Sequence, residues 1–178
     1  MRNPFLVGKK VYLRSLESED AETFLPWVND YEVMRTMGSF NPYSLVTEKK
    51  WIEDSYQKKD QISLGIVNKD NDRLIGGTGL HRIEHRVRQA GFGIFVGDKK
   101  EWNKGFGQEA TELIVDYAIN QLNLNRVWLH VHKDNERGIR AYTKVGFVQE
   151  GCLREAHFCD GHYIDVLVMS VLRDDWNV

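Results

Sequence analysis

Between residues 90 and 131 the hydrophobic period of the chain changes twice. "AGFGIFV" (90–96) is a short apolar run of strand type. Phe106, Ala110, Leu113, Ile114, Tyr117, Ala118 and Leu122 then recur at helical spacing, and "RVWLHV" (126–131) returns to a strand pattern. Strands repeat every two residues and helices every 3.6, so this stretch predicts strand, amphipathic helix, strand. Its length suits two parallel strands joined by a crossover, which is right-handed in nearly all cases. The carboxyl end of strand 90–96 then faces a ligand crevice, with the helix N-terminus beside it.

The flanking segments extend this unit. "VYLRSL" (11–16) alternates Val11 and Leu13 against Tyr12 and Arg14, which predicts a half-buried strand. Helical signals follow over 19–37, where Phe24, Trp27 and Val28 share a face. Another helix is expected to begin at an N-cap Thr47, ahead of Trp51, Ile52, Ser55 and Tyr56. "ISLGIV" (62–67) and "RLIGGTGLHRI" (73–83), parted by the turn cluster "NKDND", join 90–96 in an antiparallel meander. "ERGIRAYTKVG" (136–146) is a short helix stopped by Gly146, and "FVQEGCLR" pairs with "YIDVLVMSVL". The fold class is α+β, with a mixed, mainly antiparallel central sheet flanked by helices. No repeat or linker divides it, so residues 1–178 are read as one domain.

Composition narrows the functions. With 24 basic and 26 acidic residues the net charge is −2, which gives no general pull towards nucleic acid or an anionic membrane. A local basic site for a phosphorylated ligand is compatible with that balance. Cys152 and Cys159 form no CxxC pair, and a chain of 178 residues encloses enough core to need no disulfide. "MRNPFLVGKK" is too short an apolar run for a secretory signal, and no later run approaches the roughly 20 residues of a membrane helix. A soluble, cytoplasmic protein is expected, with a homodimer as the default assembly.

"WNKGFG" (102–107) falls at the junction of strand and helix. A helix N-terminus exposes unpaired N–H groups and roughly half a positive charge, so it attracts phosphate. Gly105 and Gly107 would let the backbone approach an anion, with the Lys104 ammonium nearby. Equally, the glycines could only shape a tight entry to the helix. The string has neither the GK[ST] ending of a triphosphate loop nor the third glycine of a dinucleotide fingerprint.

Taken with its surroundings, from "GIFVGDKKEWNKGFGQEATELIV" to "DNERGIRAYTKVGFVQEG", the segment resembles the acyl-CoA-binding core of the GNAT superfamily of N-acetyltransferases. The closing "GCLREAHFCDGHYIDVLVMSVL" is similar to the branch of ribosomal-protein alanine and spermidine acetyltransferases. The resemblance implies acetyl-CoA as co-substrate, a GNAT-like fold, and no metal. It implies that Gly105 and Gly107, with Lys104, Phe106 and Gln108, wrap the pyrophosphate. Phe95 and Val96 would offer backbone contacts to the pantetheine and thioester, Asn135 would hold the pantetheine arm, and Tyr142 would protonate the departing thiolate. Two positions depart from the family pattern: Trp102 stands where Gln or Arg often opens the turn, and Gly91 where many relatives carry a glutamate that helps deprotonate the amine.

The residues also have plainer readings. Asn135 suits a helix N-cap, and Tyr142 suits packing. His130 and His132 alternate on one strand face but lack the companions of a metal site, so packing or surface positions are expected. His81, Glu84 and His85 are candidate proton acceptors or simply solvated loop groups; Trp27, Tyr31, Phe40, Tyr43 and Trp51 are candidates for an acceptor pocket, with core packing the expected role for any one of them. The expected function is acetyl transfer to a primary amine, favouring a protein or peptide N-terminus. The alternatives are a polyamine, amino sugar or antibiotic amine, and a non-catalytic acyl-CoA sensor.

Overall fold

The computed structural model describes residues 1–38 and 41–176. Five strands run in chain order, each antiparallel to the next: β1 (Leu6–Val7), β2 (Val11–Ser15), β3 (Ile62–Asn68), β4 (Arg73–Glu84) and β5 (Gln89–Val96). Three more, β6 (Arg126–His132), β7 (Val148–Cys159) and β8 (His162–Leu172), complete one sheet in the order β1-β2-β3-β4-β5-β6-β8-β7. The two halves join through β5 and β6, which run parallel. Their connection is α4 (Phe106–Asp116), extended by a wider helical turn over Tyr117–Gln121. The remaining helices are α1 (Asp20–Val28), α2 (Tyr31–Met34), α3 (Leu45–Ser55) and α5 (Glu136–Val145). No helix among the described residues is long and apolar enough to cross a membrane.

The main core lies under α4. Phe106, Ala110, Ile114 and Ala118 recur every four residues and are buried, with Val115 and Ile119 beside them. They meet Val11 and Leu13 of β2 and Phe92 of β5 in one apolar cluster. Full burial of each large member contributes about 1.5–3 kcal/mol before entropy is counted. A smaller cluster of Leu16, Ala21, Phe24 and Ile52 packs α1 and α3 with Leu74 and Phe95.

Two expectations from sequence are corrected here. β2 is not half-buried, because its other face is covered too: the Tyr12 hydroxyl donates to Asp72 at 2.7 Å, and Arg14 grips Asp20 through two bonds of 2.7 and 2.8 Å. Thr47 is not the N-cap of α3. Ser44 takes that place, and Thr47 returns the bond from three residues on, its hydroxyl accepting from the Ser44 amide at 2.9 Å. The helical signals over 19–37 resolve into α1 and α2, with Asp30 capping α2 and Gly38, at φ +68°, ending the turn that follows it.

Candidate active site

β5 and β6 pair over three positions only: Gln89–Arg126, Ala90–Val127 and Gly91–Trp128. Beyond Gly91 each strand keeps its other neighbour, β5 following β4 as far as Val96–Gly76 and β6 following β8 as far as His132–Val166. The sheet therefore opens into a wedge. Backbone groups along its edges lack ladder partners, and such groups must find them elsewhere. The Val96 carbonyl does so inside the protein, accepting from the Trp102 indole N–H at 2.6 Å.

The turn at the mouth of the wedge separates the roles of its two glycines. Gly105, the N-cap of α4, has φ +86°, a left-handed conformation that strains other residues. The turn itself demands a glycine there. Gly107 is different, because a Cβ on it would meet only Val96 Cγ2, at an ordinary 3.5 Å. Packing leaves room for a side chain at 107, so no contact within the protein requires a glycine there.

A cavity of about 290 Å³ opens at this point. Phe95, Val96, Gly105, Phe106, Gly107, Gln108, Asn135 and Tyr142 all line it. Its charge comes from α5, where Arg137, Lys144 and Arg140, the last paired with Glu136 at 3.0 Å, share the lining with a single carboxylate residue, Glu101. Arg137 lies over the Trp102 ring at 3.7 Å, which fixes its planar head. Such a set suits a ligand with several phosphate charges and an extended arm. Sequence reasoning missed the three basic residues of α5, although their spacing of three and four residues already puts them on one helix face. Lys104 is not among the residues lining the cavity; its exposed ammonium pairs with Glu101, which is, at 2.9 Å.

A second cavity of about 270 Å³ shares Ile94, Asn135 and Tyr142 with the first. Its walls include His81 and Arg82 of β4, Trp128 and His130 of β6, and Met37. Gly93 opens its floor, since a Cβ there would meet nothing within 4 Å. No carboxylate side chain lines it among the described residues.

Asn135 and Tyr142 thus stand between the cavities. Asn135 caps α5, its Oδ1 accepting from the Gly138 amide at 3.0 Å. The Tyr142 ring is held edge-on against Phe92, with centroids 6.1 Å apart, and tilted against Phe147 at 6.0 Å. Burial pushes its phenol up to about 12, only partly opposed by the Arg137 charge. It therefore keeps its proton at neutral pH and can act as an acid but not as a base.

The described aromatics weighed for an acceptor pocket take other places. Trp27 packs over Gly97 and the Tyr31 hydroxyl bonds Asp160, while Trp51 is on α3; neither they nor Tyr43 line either cavity. Phe40 lies outside the described residues. Of the candidate proton acceptors, His81 lines the second cavity, whereas exposed Glu84 accepts from Gln89 at 3.0 Å and exposed His85 sits in the following turn. His130 and His132 take separate places: His130 tilts against Trp128, and buried His132 bonds His157 at 2.7 Å.

Residues 10–148 match the family model described as an acetyltransferase (GNAT) domain. An uncharacterised N-acetyltransferase of Bacillus licheniformis is 30% identical over 178 residues, covering 96% of this chain and 97% of the relative. The spermidine N(1)-acetyltransferase of Vibrio cholerae is 30% identical over 173 residues, covering 96% and 97%. A crystal structure of spermidine N-acetyltransferase from Vibrio cholerae, in complex with CoA and spermine, superposes with a TM-score of 0.88 at 26% identity, covering 94% of this chain and 98% of that one.

Proposed function

The chain belongs to the GNAT family of N-acetyltransferases, and we propose that it moves acetyl from acetyl-CoA to the primary amine of a small molecule by direct attack. Acetyl-CoA supplies the acetyl group as an activated thioester. The first cavity fits its polar parts: the amides at Gly107 and Gln108 with Arg137, Arg140 and Lys144 suit the phosphates, and the open edge at Val96 with Asn135 suits the pantetheine arm. Tyr142 holds a proton ready for the departing thiolate. The observation that carries this reading is the junction at Ile94, Asn135 and Tyr142, where a group held in one cavity can be reached from the other.

A polyamine is the acceptor class to test first, since relatives of this chain are spermidine N(1)-acetyltransferases and a similar structure holds spermine. A peptide N-terminus is the second reading. It is favoured by an acceptor cavity with Arg82 in its wall and no carboxylate among its described lining residues, a poor match for a polycation. An α-amine, with pKa about 7.7–8.0, is also more often neutral at pH 7.5 than an alkyl amine at about 10.4. Release of CoA thiol on incubation with spermidine, spermine and free N-terminal peptides tests both. Higher kcat/KM for one class assigns the acceptor. Tight acetyl-CoA binding with no turnover of any amine would overturn the enzyme reading in favour of a sensor.

A further inference from the structure

Gly91 is the last residue at which β5 and β6 pair before the wedge opens, and on its other side it pairs with His81 of β4. His81, Gly91 and Trp128 therefore stand in one row across three strands. A Cβ on Gly91 would lie 2.2 Å from His81 Cε1, 2.6 Å from Nδ1 and 2.8 Å from Nε2. The imidazole occupies the space that a side chain at 91 would need. It reaches over the glycine to meet Trp128 edge-on, with centroids 5.5 Å apart. Neither His81 nitrogen has a hydrogen-bond partner among the described residues, and the side chain lines the second cavity together with Tyr142.

We propose that His81 accepts the proton of the acceptor amine. The proposal rests on the acetyl-transfer reading above and assigns the half of the proton traffic that Tyr142 cannot carry. As nitrogen attacks the thioester carbon the N–C bond forms and the C–S bond breaks. The proton leaving nitrogen goes to a His81 ring nitrogen, the thiolate takes one from Tyr142, and exchange with water restores both groups.

Few other groups qualify. No carboxylate lines this cavity among the described residues, and the Tyr142 phenol, raised to about 12, stays protonated. The charged or titratable groups around His81 are Arg82 on its own strand, His130 on β6 and Tyr142 on α5. Burial first, then the charges of Arg82 and His130, lower its pKa below the ordinary 6.5. A histidine so shifted is neutral at pH 7 and becomes charged, hence unable to accept, as pH falls through its lowered pKa. His130 lines the same cavity and its pKa is lowered too, by burial first, but it is more exposed and does not sit over Gly91, so it serves as the comparison.

The test compares kcat/KM against pH for the wild type, His81→Gln, His81→Phe and His130→Gln, with acetyl-CoA affinity by calorimetry. Phe keeps a ring against Trp128 but has no basic nitrogen. Both His81 variants are expected to bind acetyl-CoA normally, to lose about 10²-fold or more in kcat, and to lose the acid limb below pH about 6.5. Wild-type kcat with that limb intact in His81→Phe would overturn the proposal. So would loss of the limb in His130→Gln alone. An NMR titration of the CoA-bound wild type reads His81 without turnover, so it separates this inference from the choice of acceptor. A neutral imidazole at pH 7 is expected, and a charged one would exclude the role.

Discussion

Replacing Tyr142 by phenylalanine removes a hydroxyl and leaves the ring. The structure gives that ring two aromatic neighbours, Phe92 and Phe147, and gives the hydroxyl no hydrogen-bond partner among the described residues. Stability should therefore change by about 1 kcal/mol or less, a Tm shift of about 2–4 °C at most for a chain of this size. Chemistry is expected to respond far more. Loss of a general acid costs about 10²-fold or more in rate, and 10²-fold is about 2.7 kcal/mol of barrier. With its phenol near 12, Tyr142 remains protonated across the working range, so it should contribute no basic limb to the wild-type profile below roughly pH 11. Single-turnover release of CoA thiol at saturating amine isolates the chemical step, and calorimetry follows acetyl-CoA. The expected result is an unchanged melt, near-normal affinity and a fall in the single-turnover rate. A rate within threefold of wild type would make Tyr142 a packing residue and refute the argument from its position.

Gly107→Val should fold, because a Cβ meets only Val96 at 3.5 Å, yet it should weaken acetyl-CoA roughly tenfold to a hundredfold by calorimetry, the value of about one charged hydrogen bond. Unchanged affinity would leave the turn without a phosphate. Asn135→Ala should lower stability by about 1 kcal/mol through the lost cap, while Asn135→Asp keeps an acceptor for the Gly138 amide. If Asn135 also serves the cofactor, both variants bind acetyl-CoA more weakly; normal binding by the Asp variant would make it only a cap. Asp20→Asn should cost about 3–5 kcal/mol at pH 7 in urea melts, since it strands the buried Arg14. Burial alone would raise the Asp20 pKa, but the Arg14 fork and the Glu17 amide hold it below 3.8. The stabilisation is therefore present above that value and lost as pH falls through the lowered pKa, so the gap between wild type and variant should close in acid.

Much of this was legible in the chain because it is local. The stripe from Phe106 to Ala118 announces a helix, and Gly146, at φ +109°, stops α5 where its position suggests. The roles expected of the glycine turn and of Tyr142 come only from the resemblance of their surroundings to the GNAT core; residue types at that spacing leave a tight helix entry and a packing ring open. What stayed hidden depends on partners distant in sequence. Tyr12 looks solvent-facing until Asp72 arrives beside it, and Arg14 until Asp20 folds back. Lys104 looks like a free cation until Glu101 claims it. The aromatic residues of the N-terminal third suggest a pocket by composition, but Trp27 is spent on Gly97 instead. Ser44 and Thr47 were indistinguishable as caps from residue type alone, and only the returned bond decides between them.

Gly91 brings the two kinds of information together. In sequence it is a missing side chain on a strand that borders the site. In the folded protein it is where β4, β5 and β6 still touch, and where the rings of His81 and Trp128 meet above the backbone. Any side chain at 91 would push the imidazole aside, so the glycine and the histidine form one device. The wedge begins one residue later, which sets this imidazole at the closed end of the gap while Tyr142 enters from α5. Neither cysteine lines either cavity, and Cys159 is occupied near Tyr31, so no thiol stands at the junction to carry the acetyl group between the two chambers. If the first cavity holds acetyl-CoA and the second the amine, as proposed, direct attack past Ile94, Asn135 and Tyr142, which line both among the described residues, is the short route. Such an attack releases one proton from nitrogen and consumes one at sulfur; in the proposed arrangement Tyr142, at the junction, supplies the protonated phenol, and His81, in the second cavity, the imidazole, its pKa lowered by burial.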